Sequence, residues 1–218
     1  MSKRYTGDLM RPVSGAPPLH ISMLVLASTS RYRRELLSRL RLPFTTFSPD
    51  VDETPLPAEA PEGTALRLAV AKAGAAQRSF PQALIIGSDQ VADLDGVRLD
   101  KPGSRERARE QLLHASGREV VFHTALALLR AASGETLTAN VPTRVRFRAV
   151  TPAQIDAYLE LEQPFDCAGS AKSEALGIVL LEHIAGDDPT ALIGLPLIAL
   201  TSMLAQFGVD ILSAVRAA

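Results

Sequence analysis

The chain has 218 residues, 46% hydrophobic and 22% charged, with a formal net charge of −1 and one cysteine. Near-neutrality excludes a polybasic coat for nucleic acid, the lone cysteine excludes a disulfide framework, and four scattered histidines leave no zinc-ligand spacing. No apolar run approaches the roughly 18 residues of a membrane helix, and seven Phe, three Tyr and no Trp leave few aromatic faces for stacking a base.

Residues 1–22 are polar, carry Pro and Gly, and lack both a core pattern and the apolar run of a signal peptide. They read as a flexible tail, or as translation upstream of a start at Met23, and a cytoplasmic protein is expected. From Met23 the pattern changes. Leu24–Ala27 is a short buried strand, and Ser28-Thr29-Ser30 is an N-cap cluster for a helix reaching about Arg41. A second strand spans Phe44 to Phe47, and Asp50 to Pro55 is an acidic, Pro-bearing loop. Glu62 to Ser79 reads as a helix with Leu66, Ala69, Val70 and Ala73 on its inner stripe.

Ala83 to Gly87 is a third buried strand that ends at Ser88-Asp89-Gln90, and Asp95-Gly96 marks a hairpin turn. Arg105 to His114 is helical. Val120 to Leu129 and Val141 to Val150 read as strands joined across Ala132-Ser133-Gly134, with Val145, Phe147 and Ala149 alternating against Arg144, Arg146 and Arg148. Pro152 opens a helix through Leu161, Phe165 to Ile184 is strand-like with glycine interruptions, and a last helix runs from Pro196 to Phe207. The expected architecture is one α/β unit over residues 23–212, a mixed sheet with flanking helices, followed by a C-terminal tail at 213–218.

Arginine outnumbers lysine 19 to 4, so the lysines outside the tail, Lys72, Lys101 and Lys172, stand out as candidates for chemistry. Arg31, Arg33 and Arg34 crowd the first turn of the first helix, where the macrodipole disfavours cations. An anion held by Ser28, free backbone N–H groups and guanidinium forks would relieve that conflict. Asp89 follows a buried strand, the place where α/β sheets put reactive groups, and a carboxylate there can bind a metal or orient a water. The segment from Asp50 to Thr54 matches the D-x-D-x-T nucleophile pattern of haloacid-dehalogenase-like phosphohydrolases, with Asp50 as nucleophile, but Ser48-Pro49 interrupts the strand that pattern requires. A carboxylate ligand for a hard divalent cation is the better use of this loop. Cys167 has no nearby histidine and reads as a buried thiol. Neither a P-loop nor a G-x-G-x-x-G fingerprint occurs.

Leu26-Ala27-Ser28-Thr29-Ser30 with Arg33-Arg34, Val51-Asp52-Glu53-Thr54, Ala71-Lys72-Ala73, Gly87-Ser88-Asp89-Gln90-Val91, Lys101-Pro102 and Gly194-Leu195-Pro196 follow one another in an order that resembles the Maf family of nucleoside triphosphate pyrophosphatases. The match runs from Met23 to about Val209. The stretch from Asp166 to Glu174 looks like the branch that hydrolyses 7-methyl-GTP. The resemblance implies an ITPase-like Maf fold with its active site in a central cleft. It also implies cleavage between the α- and β-phosphates, a divalent metal (Mg²⁺ or Mn²⁺) and a homodimer. Asp89 would be the proton acceptor, and Tyr32, Gln90 and Glu174 would tune base selection. Ser28, Arg33, Arg34, Lys72 and Lys101 would bind the phosphates, with Glu53 and Asp89 on the metal.

This sequence departs from the resembling pattern at four places: Arg31 and Asp100 stand where the family usually has Pro and Gly, and Tyr32 and Ala171 where the branch often has Trp and Phe. With aromatics so scarce, recognition of a cationic base should lean on the Glu174 carboxylate more than on stacking. The partner is thus a nucleoside triphosphate, with no DNA or RNA polymer and no membrane. Two other readings stand beside it: the Asp50 phosphohydrolase, and a non-catalytic regulator of septum formation, to which the family name refers.

Overall fold

The structure is a computed structural model that describes residues 3–4 and 23–217. Apart from Lys3–Arg4, the expected N-terminal tail lies outside the described residues. One mixed eight-stranded sheet organises the chain. In sequence its strands are β1 (Lys3–Arg4), β2 (Leu24–Ala27), β3 (Thr45–Phe47), β4 (Leu84–Leu94), β5 (Val97–Leu99), β6 (Glu119–Arg130), β7 (Glu135–Phe147) and β8 (Leu181–Ala185). They are arranged β1-β7-β6-β4-β2-β3, with β5 on β4 and β8 on β7. β2, β3 and β4 pair in parallel, because α1 (Arg31–Ser38) and α2 (Pro61–Gln77) serve as crossovers between them. β4, β6 and β7 form a long antiparallel meander.

Two families of packing share this sheet. α5 (Leu197–Gln206) and α1 bury Leu36, Leu37, Leu200 and Leu204 against Leu24, Leu26 and Leu128 on one face. α2 lays Ala65, Ala69, Ala73 and Ala76 on the other face over Val25, Ile85 and Ala127. The far ends of β6 and β7 carry a second core, in which Phe122, Val145 and Phe147 meet α3 (Arg105–Ala115) and α4 (Pro152–Glu162). Among the described residues no helix is long and apolar enough to cross a membrane.

The α2 face differs from the expected stripe. Leu66 is only half-buried and Val70 is exposed, while Ala65, Leu68, Ala69, Lys72, Ala73 and Ala76 point inward. The cause is close approach. A Cβ placed on Gly87 would lie 2.1 Å from the Ala69 carbonyl oxygen, so helix and strand touch backbone to backbone and only small side chains fit between them.

Other elements also shift. β4 continues through Asp89 and Gln90 to Leu94 rather than ending at Gly87, since β6 pairs with it across that whole length. α1 stops at Ser38, and Arg41 takes a left-handed φ of 56°. The segment from Phe165 to Leu180 is not a strand but a compact run of turns with 3-10 helices at Ala168–Ser170 and Leu176–Leu180. Gly177 closes it, because a Cβ there would sit 2.5 Å from the Lys172 carbonyl oxygen. Residues 213–217 belong to α6 (Ile211–Ala217), whose Ile211, Ala214 and Val215 pack on the core.

Candidate active site

β2 ends opposite Gly87, and β5 ends opposite Ala92. Between them the edge of β4 from Ser88 to Val91 has no neighbouring strand on that side among the described residues, and this gap is the floor of a cleft of about 560 Å³. The loop after β2, the acidic loop before α2, the loop after β5 and the turns from Asp166 to Glu174 form its walls.

At its centre Lys72 reaches down from α2. Its Nζ lies 2.6 Å from Asp89 Oδ1 and 2.6 Å from Glu53 Oε1. Lys72 and Asp89 are buried, whereas Glu53 is half open to solvent. Burial alone would push the Glu53 carboxyl up, yet the Lys72 ammonium, with Lys101 and Arg33 nearby, holds it below its ordinary value. The acidic loop is itself tied down. Glu59 accepts from both Arg67 Nε at 2.7 Å and Arg67 Nη2 at 2.8 Å, and the same Nη2 donates to the Thr54 carbonyl at 3.1 Å.

Ser30 caps α1 by accepting from Arg33 N, as its sequence position implied. Arg33 is fixed by its Nε donating to the Gly194 carbonyl at 2.9 Å. Burial draws its pKa down while Asp89 and Glu53 oppose that pull. Ser28 and Lys101 line the cleft, and Lys101 has no ion pair among the described residues. Arg34 is exposed and does not line the cleft; Arg31 does. The helix turns Arg34 to the solvent side, so it is not positioned with Ser28 and Arg33.

Gln90 lies on the opposite sheet face from Asp89. Its Nε2 is within hydrogen-bond distance of Thr124 Oγ1 (2.9 Å), the Ala191 carbonyl (3.1 Å) and the Leu192 carbonyl (3.0 Å), so this amide holds the 191–194 wall. Tyr32 and Glu174 both line the cleft. Glu174 is exposed at the rim, where Ser173 Oγ donates to it at 3.4 Å. The Arg31 guanidinium lies 4.7 Å from the centre of the Tyr32 ring and donates to its hydroxyl at 2.7 Å.

Asp50 is exposed and outside the cleft, with no buried strand leading into it, so nothing positions it as a nucleophile. Cys167 is not a fully buried thiol. It is half-buried in the cleft wall and donates to Asp166 Oδ1 at 3.3 Å, and burial together with that carboxylate pushes its pKa up to about 12. Lys172 lies behind the wall rather than in the cleft. It sits 3.5 Å from Glu162 and 3.7 Å from Asp166, while its backbone N–H donates to the Tyr158 hydroxyl. Arg98 and Phe122 also line the cleft and carried no motif signal, and Asp100 and Asp166, which lay within the family-like segments without a site role, line it too. The pairing of Phe122 opposite Ala92 could have been anticipated only from the long β4–β6 register.

Five cations (Arg31, Arg33, Lys72, Arg98 and Lys101) and five carboxylates (Glu53, Asp89, Asp100, Asp166 and Glu174) line this space, so their charges nearly cancel. A polyanion entering it must displace a carboxylate from a cation or bring a counter-ion. Glu53 and Asp89, held on the same ammonium, are close enough to turn to one divalent cation together. Two carboxylates plus substrate oxygens is a donor set that suits Mg²⁺ or Mn²⁺. Among the described residues no group of three or more His, Cys, Asp or Glu side chains forms a self-sufficient metal cage.

Comparison with known proteins places this geometry. A protein called 7-methyl-GTP pyrophosphatase from Thiobacillus denitrificans is 63% identical over 190 residues, covering 87% of this chain and 94% of that protein. Proteins with the same name from Bordetella pertussis (62%, covering 86% and 93%) and Burkholderia thailandensis (59%, covering 88% and 90%) are similar over the same extent. The family described as Maf-like protein matches residues 23–207, which include the open β4 edge and all the residues around it, and the chain belongs to that family.

Proposed function

We propose that this chain is a nucleoside triphosphate pyrophosphatase that splits the α–β phosphoanhydride of 7-methyl-GTP into 7-methyl-GMP and pyrophosphate. The observation that carries this reading is the Asp89–Lys72–Glu53 cluster on the open edge of β4, beneath the Arg33 and Lys101 cations. The names of the relatives support the choice of substrate.

Hydrolysis of this bond requires an oriented water and positive charge on the departing pyrophosphate. Asp89 accepts the proton of the attacking water, and its place beside Lys72 keeps the carboxylate aimed into the cleft. Arg33, Lys72 and Lys101 bind the phosphate oxygens, with Ser28 beside Arg33. A divalent cation carried by Glu53 and Asp89 would supply further charge neutralisation on the phosphates. Tyr32 and Glu174 contact the base, the carboxylate favouring the positive charge of the methylated ring. Gln90 acts by holding the wall rather than by donating to the base.

The reading includes a cytoplasmic homodimer acting on free nucleotides. The net charge of −1 supports free nucleotides over a nucleic acid polymer. Purified protein with Mg²⁺ or Mn²⁺ should release pyrophosphate from 7-methyl-GTP in a triphosphate panel. Release of single orthophosphates would overturn the reaction, and indifference to methylation would overturn the substrate.

A further inference from the structure

Arg98 has no part in the cluster described above, yet it faces the same space. In β5 it stands directly opposite Asp93 of β4, and residues paired this way project from one sheet face. Asp93 lies an even number of residues along β4 from Asp89, so Arg98 shares the Asp89 face, the one that α2 covers with Lys72. The segment carrying Asp166 lies on the opposite face, where a Cβ on Gly169 would meet Phe122 and Ala92. A nucleotide with its base among Tyr32, Phe122 and Glu174 therefore extends its phosphate chain past Asp89 toward Arg98 and Lys101.

The hydrogen bonding of Arg98 is incomplete. Its Nε donates to the Asp100 carboxylate. Its Nη1 is buried and has no partner among the described residues, although a guanidinium carries five N–H donors. Its side chain is 24% exposed and that of Asp100 is 60% exposed, so the anion of the pair is the partner free to leave. A phosphate group brings more charge and more oxygens than one carboxylate, and the planar fork of arginine suits it.

We propose that Arg98 is a further substrate-binding residue that grips the outer phosphates leaving as pyrophosphate, and that Asp100 is the resident anion those phosphates displace. This deepens the pyrophosphatase reading and rests on it for the orientation of the nucleotide. Asp100 also sharpens selection by phosphate charge: a ligand with a short phosphate chain reaches Arg98 poorly and leaves the pair intact.

Calorimetric titration of the full chain with inorganic pyrophosphate, without divalent metal and with 7-methyl-GMP as the control ligand, tests this. Arg98→Gln should weaken pyrophosphate binding about tenfold and leave the monophosphate within about twofold of wild type. Arg98→Lys should fall between the two, and Asp100→Asn should tighten pyrophosphate about threefold. Unchanged pyrophosphate affinity in Arg98→Gln, or equal loss for both ligands, would overturn the role of Arg98. Unchanged affinity in Asp100→Asn would overturn that of Asp100. Should Arg98→Gln not fold, Arg98→Lys and Asp100→Asn still decide the question. Failure of the wild-type chain to split 7-methyl-GTP would sink the functional reading by itself and leave these binding results standing.

Discussion

Lys72 and Asp89 meet at 2.6 Å inside the protein although they stand 17 positions apart in sequence. α2 delivers the ammonium and β4 the carboxylate, and the contact exists because helix and strand pack with almost nothing between them at Gly87. The pair places an acceptor for the proton of water next to a cation for phosphate.

Asp89→Asn removes the proton acceptor but keeps shape and hydrogen bonding to Lys72. Turnover of 7-methyl-GTP should fall by about 10²–10⁴-fold while nucleotide binding persists, as read from single-turnover rates and calorimetry. Lys72→Met should cost about 10²–10³-fold in kcat and weaken binding as well, because it removes a phosphate cation and releases both Asp89 and Glu53. Undiminished turnover in Asp89→Asn would end its assignment as the base.

Gly87→Ala tests the packing that brings the pair together. The new methyl would overlap the Ala69 carbonyl and crowd the Ala73 nitrogen at 2.7 Å, both backbone atoms that cannot move without shifting α2. The expected loss is about 3 kcal/mol in chemical denaturation, with a fall in kcat beyond what unfolding explains.

Glu59 makes the acidic loop sensitive to acid. Hydrogen bonds from Arg67, joined by Leu56 N–H and Thr64, hold it at about 2 instead of the usual 4.5. A carboxyl with a depressed folded-state pKa contributes its stability above the unfolded value, and that contribution is lost as pH falls through the folded one. Glu59→Gln should therefore melt below wild type at neutral pH, and the two melting temperatures should converge between pH 4.5 and about 2. The same variant should raise KM, since the loop it frees carries Glu53.

Arg31 covers one face of Tyr32, the only tyrosine lining the cleft among the described residues. A cation held there competes with a cationic base for the ring and repels it. Arg31→Ala should raise the ratio of kcat/KM for 7-methyl-GTP over GTP by about threefold. Glu174→Gln should lower that ratio by about as much, by removing the charge attraction to the methylated base.

Cys167 should react slowly with iodoacetamide at pH 8, because a thiol raised to about 12 is almost wholly protonated there. Cys167→Ser should keep turnover within about twofold. Rapid loss of activity on alkylation at pH 8 would contradict the environment described here.

Local signals in the sequence determined a good deal of this protein. Alternation and short apolar runs placed β2, β3 and β6. The Ser30 cap and Pro152 placed the starts of α1 and α4, and the ordered motifs identified Ser28, Arg33, Lys72, Asp89 and Lys101 as one set. The strands and caps depend on neighbours within a turn or two of each residue, which is the range a sequence pattern encodes, whereas the grouping of the site residues rested on the family resemblance of the ordered motifs. Tertiary structure alone decided how far β4 runs, because β6 supplies its partner. It also turned Arg34 outward and committed Gln90 to the wall. It put Lys72 between two carboxylates and left Arg98, beside Asp100, with a donor that has no partner among the described residues. The scarcity of aromatics also changed meaning, for Phe122 joins Tyr32 in the cleft from a strand whose alternation showed burial but not which space it faced. Such relations come from strand register and helix-on-sheet packing between distant segments, and no local pattern of residues carries them.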